Sequence, residues 1–163
     1  DIVRFKPGLY KSELKCDVAI VADATPDSVP FVTELCRLGL DVKIFGHGWN
    51  LPECLGTIND DDISDLYATA LVCPKIDDNN PDRWWNIVAA GGLAVNSTPS
   101  DIVDLVKDED FRLAVQESRL QDVMFDQTYF ERTIDLLEAL GLEAEVPKIL
   151  QAKGEVMKKR ISR

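Results

Sequence analysis

Short apolar runs alternate with amphipathic stretches in the first part of the chain. Residues 17–22 (DVAIVA) and 41–45 (DVKIF) are brief, β-branched runs of the kind that a parallel sheet buries on both faces. Between them, residues 28–38 place apolar side chains at helical spacing, and Gly39 ends that pattern. The pattern therefore predicts a strand, a helix and a second strand.

The same alternation continues beyond the second strand. Four further elements are predicted: a helix over residues 63–70, a strand over 71–76, a helix over 83–90 and a strand over 93–96. Pro99-Ser100-Asp101 opens another helix, and from Asp110 the chain is almost wholly helical, with a break near Gly141 and Pro147. Strand–helix–strand repetition implies right-handed crossovers, with helices on both faces of a parallel sheet. We therefore expect a Rossmann-like, three-layer α/β domain with a helical C terminus.

The length of 163 residues is that of one ordinary domain. Within it we expect an N-terminal lead-in over residues 1–16, an α/β core over 17–107 and C-terminal helices over 108–163. No apolar run approaches the roughly 20 residues that a membrane span needs, and no secretory leader opens the chain. We expect a cytoplasmic protein without a membrane span.

The charge narrows the choice of partners. The formal net charge is −11, and a surface that follows nucleic-acid phosphates would need clustered Lys and Arg, so we expect no nucleic-acid partner. The one basic cluster, Lys158-Lys159-Arg160, fits the C-terminal turn of a helix, where cations favour the helix dipole. The four cysteines lack metal-type spacing, so no metal site is predicted, and Cys36 and Cys73 lie in apolar runs, which favours reduced thiols over a disulfide framework.

Candidate binding residues follow the predicted strands, because ligands of open parallel sheets bind beyond the carboxyl ends of the strands. Gly46 and Gly48 flank His47, the only histidine, and would let the backbone approach a flat ligand closely, although they are also compatible with a turn that binds nothing. Lys75 and Arg83 flank the next loop and suit a diphosphate, or else neutralise the aspartates beside them.

Several familiar sites are absent from the sequence. There is no G-x-G-x-x-G after the first strand, no G-x-x-x-x-G-K-[ST], no G-x-S-x-G and no H-E-x-x-H. Nicotinamide and flavin dinucleotides, a P-loop nucleotide site and the common hydrolase motifs are therefore disfavoured. A phosphorylation-receiver domain is a weaker alternative, because Asp23 stands alone where such a domain needs an acidic pair.

The stretch from Gly56 to Ser97, GTINDDDISDLYATALVCPKIDDNNPDRWWNIVAAGGLAVNS, resembles the C-terminal half of two-domain (GT-B) glycosyltransferases. The shared pattern is a glycine before an acidic helix start, an aromatic-containing helix, an apolar strand, a polar loop and a helix that runs into Ala-x-Gly. CDVAIVAD followed by LCRLGLDVKIFGHGW is similar to the first two strands of the spore-coat (CgeB-like) branch. QTYFERTIDLLEAL is similar to the closing helix of that branch.

The resemblance implies a domain that binds a nucleotide-diphosphate sugar as substrate and needs no resident cofactor. Asn86 occupies the position where relatives commonly hold the ribose with a glutamate, and Asp78 occupies that of a second acid. Asp23-Ala24-Thr25 replaces the glycine-rich phosphate turn of some relatives. The expected donor-binding residues are Asp23, Gly46, His47, Gly48, Lys75, Asp78, Arg83, Asn86 and Gly91.

Catalytic residues are not assigned, because in such enzymes an N-terminal acceptor-binding domain usually supplies the catalytic base. We expect that domain as a partner in cis or in trans. The alternative is a non-catalytic protein-interaction module that retains the glycosyltransferase fold. The acidic composition, Asn86 in place of the glutamate and the long helical C terminus favour this alternative.

Overall fold

Four short strands form two parallel pairs in the structure, a computed structural model that describes residues 8–76, 82–125 and 129–161. The strands are β1 (Val18–Val21), β2 (Val42–Phe45), β3 (Cys73–Pro74) and β4 (Ala94–Val95). β1 pairs with β2 so that Val18 lies opposite Val42, and β3 pairs with β4 so that Cys73 lies opposite Ala94. The prediction of a mixed α/β protein with parallel strands is confirmed.

Backbone hydrogen bonds connect the two pairs. A parallel bridge joins Val18 to Val72, the residue that precedes β3. The Val72 amide donates to the carbonyl of Asp17 at 2.9 Å, and the Ala19 amide donates to the carbonyl of Val72 at 3.1 Å. β3 and β4 are each two residues long, which is shorter than predicted. The hydrogen bonds of Val72 lie just before β3 and are not part of either two-stranded pair.

Seven helices occur in the described residues. They are α1 (Ser28–Arg37), α2 (Asp60–Thr69), α3 (Arg83–Ala90), α4 (Pro99–Lys107), α5 (Glu109–Phe125), α6 (Tyr129–Ala139) and α7 (Val146–Ile161). Two short 3-10 helices, Ser12–Leu14 and Glu143–Glu145, complete the elements. No helix in these described ranges combines the length and the apolar character that a membrane crossing requires.

Most predicted helix boundaries agree with the structure. The helix over 83–90 has the predicted bounds, and Thr98 and Asp101 form a capping box at the start of α4. Gly141, with φ of 70°, follows α6, as the predicted break requires. The predicted break near Gly141 and Pro147 is confirmed, because α6 ends at Ala139 and α7 begins at Val146. Pro147 is the second residue of α7, where its missing N–H costs no helical bond.

Two apolar clusters flank β1, because its side chains alternate in direction along the strand. Ala19 packs with Leu66 of α2 and Ile87 of α3 in the first cluster. Ile20 packs with Leu35 of α1 and with α4 in the second cluster. β1 is therefore covered by helices on both sides.

All four cysteines are free thiols. Cys16 and Cys73 are buried in the first cluster, and burial raises the pKa of the Cys16 thiol to about 12. Burial also raises the pKa of Cys73 well above its ordinary value. Because the thiolate is the reactive form, neither residue suits a nucleophilic role. The sequence-based preference for reduced cysteines agrees with this arrangement.

The lead-in docks on α2 and α3 through polar contacts. The Gly8 amide donates to the carbonyl of Ala90 at 2.8 Å. The Lys11 ammonium contacts Asp62 Oδ1 at 2.8 Å and Asp65 Oδ2 at 2.7 Å. The two carboxylates raise the pKa of Lys11, and Lys11 lowers the pKa of Asp62. This cluster joins the start of the described chain to the first half of α2.

We expect Lys11→Met to lower the melting temperature near neutral pH, with a loss that shrinks in acid. The lowered pKa of Asp62 means that its stabilisation is present above about pH 4 and is lost as the pH falls through its folded-state pKa. The raised pKa of Lys11 means that stabilisation is also lost as the pH rises above about 10.4. Thermal melts of both proteins across this range measure the difference.

Lys148→Met is the matched control, because Lys148 pairs with Glu145 on the surface at 2.6 Å and does not join the lead-in to α2. Such an exposed pair contributes little to stability. A Lys11→Met difference that stays constant from acid to alkaline pH would contradict the electrostatic origin of the effect.

Candidate functional site

A cavity of about 410 Å³ lies beyond the carboxyl ends of β1 and β2. Its apolar wall consists of Val21, Phe45, Ile58 and Ile63. Its polar side chains are those of Asp23, Thr25, His47, Thr57 and Arg83. An apolar wall with a few convergent polar groups is the usual composition of a small-molecule site.

Gly46 lets the loops after β1 and β2 pack directly against each other. A Cβ atom at this position would lie 2.0 Å from the carbonyl oxygen of Ala22, and the φ of Gly46 is 150°. The Gly46 amide donates to the carbonyl of Gly56 at 2.7 Å. Gly46 therefore joins three backbone segments at the floor of the cavity, and its close approach is to protein backbone.

Asp23 and His47 connect the same two loops. Asp23 Oδ1 accepts a hydrogen bond from the His47 amide at 2.7 Å, and the Ala24 amide donates to the His47 carbonyl at 2.8 Å. Asp23 therefore holds the loop after β2 in place. The His47 imidazole is exposed, and Gly48 packs beside Ala24 at the edge of this arrangement.

Trp49 fixes the far end of the loop that follows β2. Its indole Nε1 donates to the carbonyl of Ala22 at 2.7 Å, and its ring packs against the second apolar cluster. Together with the bonds of Gly46 and Asp23, this contact sets the shape of the cavity before any ligand binds.

Arg83 reaches the cavity from the first turn of α3 and is half-buried. The residue before it, Asp82, makes no side-chain capping bond to α3 within the described part of the chain. The first amides of α3 are thus without that cap, and a helix N-terminus favours anions. A guanidinium and a helix N-terminus converge at this wall.

The other end of α3 is held by α5. Gly91 is the left-handed residue that ends α3, with φ of 95°, and its carbonyl accepts a hydrogen bond from the side chain of Gln116. The Arg119 guanidinium lies 5.6 Å from the centre of the Trp84 ring. Gly91 therefore ends and anchors the helix that carries Arg83, and it lies at the opposite end of that helix.

Lys75 belongs to a different cavity. This second cavity, of about 160 Å³, lies at the ends of β3 and β4 beside the start of α1, where Lys75 is accompanied by Asn96, Ser97 and the buried Ser28. Arg83 is outside the lining of this second cavity, and Lys75 is outside the lining of the first. Asn86 is half-buried on α3, one turn after Arg83, and is outside the lining of both cavities. Asp78 lies outside the described residues.

Thr57, Ile58 and Ile63 were missed as site residues. They reach the cavity because the segment that follows β2 lies alongside β2. Ile44 forms a parallel bridge with Cys54, and the Leu55 amide donates to the Ile44 carbonyl at 2.8 Å. A single bridged residue leaves no periodic pattern in the sequence. A third cavity, of about 300 Å³, shares Thr57 and Ile58 with the first and extends toward Lys11 and Asp62.

Comparisons of the chain with protein-family models, curated proteins and solved structures find no match. Among residues 8–76, 82–125 and 129–161, no group of three or more histidine, cysteine or acidic side chains is arranged to hold a metal ion. The chemistry of the site therefore has to be inferred from the cavity itself.

Proposed function

We propose that the chain is the donor-binding domain of a glycosyltransferase, which holds a nucleotide-diphosphate sugar in the cavity beyond β1 and β2. The observation that carries the proposal is the convergence of Arg83, the start of α3 and the loops at Gly46 and His47 around about 410 Å³. The volume is in the range of small-molecule sites.

The arrangement of the strands supports a Rossmann-like, three-layer fold. If the bridge between Val18 and Val72 joins the two pairs into one sheet, the strand order is β2-β1-β3-β4, all parallel. In such sheets the order reverses between β1 and β3, and ligands bind beyond the carboxyl ends of the strands at that point. The lining of the cavity includes Val21 of β1 and Arg83, which begins the helix after β3.

Each wall of the cavity suits one part of the ligand. Arg83 would bind phosphate oxygens through charge-assisted hydrogen bonds, which are stronger than neutral ones. Phe45 and Ile58 would cover the flat face of the base, because apolar burial is favourable and needs no directed contact. Asp23 keeps its negative charge when it accepts a hydrogen bond from the His47 amide, and the charge of Arg83 in the same lining offsets it.

The remaining parts of the expected site are proposals that rest on the resemblance. Asn86 would reach the ribose hydroxyls as both donor and acceptor, provided that the ligand extends along α3. Sugar transfer would need a base from an acceptor-binding domain, because the one histidine of this chain is exposed at the rim of the cavity.

We expect at least one nucleoside diphosphate of a panel with the five common bases to raise the melting temperature of the wild-type protein. Arg83→Ala should weaken that binding by about tenfold or more, because a hydrogen bond to a charged group contributes about 1.5–3 kcal/mol. Isothermal titration calorimetry of the wild-type protein and the variant measures the change.

Arg37→Ala is the matched control, because Arg37 is an exposed arginine on α1 that pairs with Glu34 at 2.6 Å. It removes the same charge from the protein and leaves the cavity unchanged. If both variants weaken nucleotide binding equally, the loss of affinity arises from the changed net charge of the protein and not from the position of Arg83. The absence of a response to every nucleoside diphosphate in the panel would refute the donor site.

A non-catalytic interaction module is the second candidate. Exposed apolar side chains on α5 and α6, among them Phe111 and Leu136, favour it. In that case a partner protein would bind wild-type protein and Arg83→Ala equally well, and nucleotides would not compete.

A further inference from the structure

Three leucines are exposed where α6 ends and the chain turns toward α7. Leu136, Leu140 and Leu142 are 58%, 63% and 48% exposed. We call residues 135–145 the hairpin tip. Leu140 directly follows α6, and its amide donates to the carbonyl of Leu136, one helical turn earlier, at 3.0 Å, so the two side chains lie on the same side. The hairpin tip therefore presents a short apolar stripe that the described structure leaves uncovered.

The rest of α6 is already packed against its neighbour. The main contacts of α6 are with α7 and with the 3-10 helix Glu143–Glu145. Leu137 is half-buried, and a largely buried ion pair joins Glu131 of α6 to Lys153 of α7. The Leu142 amide also donates to the Leu137 carbonyl at 2.8 Å. The exposed leucines are thus held on a folded support.

Acidic side chains outnumber basic ones around this stripe. Asp135, Glu138, Glu143 and Glu145 are all exposed, and Glu145 pairs with Lys148 at 2.6 Å. Asp135, Glu138 and Glu143 therefore give the rim of the stripe a net negative charge. An apolar patch with a polar rim marks an interaction surface, and the sign of the rim selects the partner.

We propose that the hairpin tip is a docking surface for a basic amphipathic helix of a partner protein. Leucines of the partner at helical spacing would cover Leu136 and Leu140, and its Lys and Arg would face the acids. A second copy of this chain fits worse, because it would bring its own acids against Asp135, Glu138 and Glu143. The proposal is independent of nucleotide binding, since it concerns a different surface and ligand.

The test uses a fluorescent synthetic peptide of leucine and lysine with leucines at helical spacing, followed by fluorescence anisotropy. We expect it to bind the wild-type protein, whereas a scrambled peptide of the same composition and a leucine–glutamate peptide with the same spacing should not. Binding of the scrambled peptide with equal affinity, or no binding of the amphipathic one, overturns the proposal.

Variants locate the surface. Leu136→Ser combined with Leu140→Ser should weaken binding by about tenfold, and Leu113→Ser, on α5 with a similar exposure of 52%, should not. Glu138→Gln combined with Glu143→Gln keeps all leucines and should reduce both the affinity and its salt dependence. Unchanged binding by both double variants overturns the proposal.

Sedimentation of the wild-type protein tests whether a second copy of this chain covers the hairpin tip. We expect no concentration-dependent dimer. A dimer that Leu136→Ser combined with Leu140→Ser dissociates would show that a second copy covers the hairpin tip, and would also overturn the proposal.

Discussion

Gly46→Ala is expected to destabilise the protein by about 4 kcal/mol. The new Cβ would lie 2.0 Å from the Ala22 carbonyl oxygen, which is backbone and cannot rotate away. A φ of 150° adds strain, because L-residues with a side chain rarely adopt it. The loops after β1 and β2 would have to separate, so the cavity should lose its shape as well. Urea denaturation measures the loss of stability.

Gly39→Ala is the control for Gly46→Ala. Gly39 also has a positive φ, of 82°, but a Cβ there would meet no atom within 4 Å. Only the conformational cost should remain, about 1 kcal/mol. The difference between the two variants isolates the close approach of the two loops. Equal losses would show that Gly46 is needed for its φ angle alone.

Leu35→Ala is expected to cost about 3 kcal/mol. Leu35 is fully buried in the second apolar cluster, where α1 covers β1, and the smaller side chain would leave a cavity there. Alanine is a good helix former, so the loss should not come from the helix itself. Because α1 starts at the end of the loop that carries Asp23, this variant also tests the support behind the site.

Leu38→Ala serves as the matched control, since it makes the same change directly after α1. Leu38 is 38% exposed, and such surface changes usually alter the free energy of unfolding by about 0.5 kcal/mol or less. Urea denaturation of both variants provides the comparison. A similar loss for both would argue against the close packing of α1 on the sheet.

Much of the local structure could be predicted from the chain alone. The strands at Val18–Val21 and Val42–Phe45 are continuous apolar runs, and the helix Arg83–Ala90 ends at a glycine pair. These features arise from neighbours in the sequence, through side-chain periodicity and backbone preference. The turn at Gly141 was predictable for the same reason, since a glycine readily adopts the left-handed conformation after a helix.

The candidate site was only partly predictable. The rule that ligands bind beyond parallel strands selected Asp23, His47 and Arg83, and these line one cavity. The same rule selected Lys75, which lines another. The positions of the loops in the sequence do not determine which loops are adjacent in the structure. That depends on the pairing of the strands and on the packing of each helix against them.

The sequence by itself determined the order of strands and helices, the placement of polar residues after the strands and the acidic character of the chain. Tertiary structure alone decided that Thr57 and Ile58 turn back beside β2, and that Asp23 uses its carboxylate to hold the His47 amide. It also decided that the leucines of the hairpin tip stay uncovered. Periodicity is a local property, whereas these arrangements depend on hydrogen bonds and packing between segments distant in the chain.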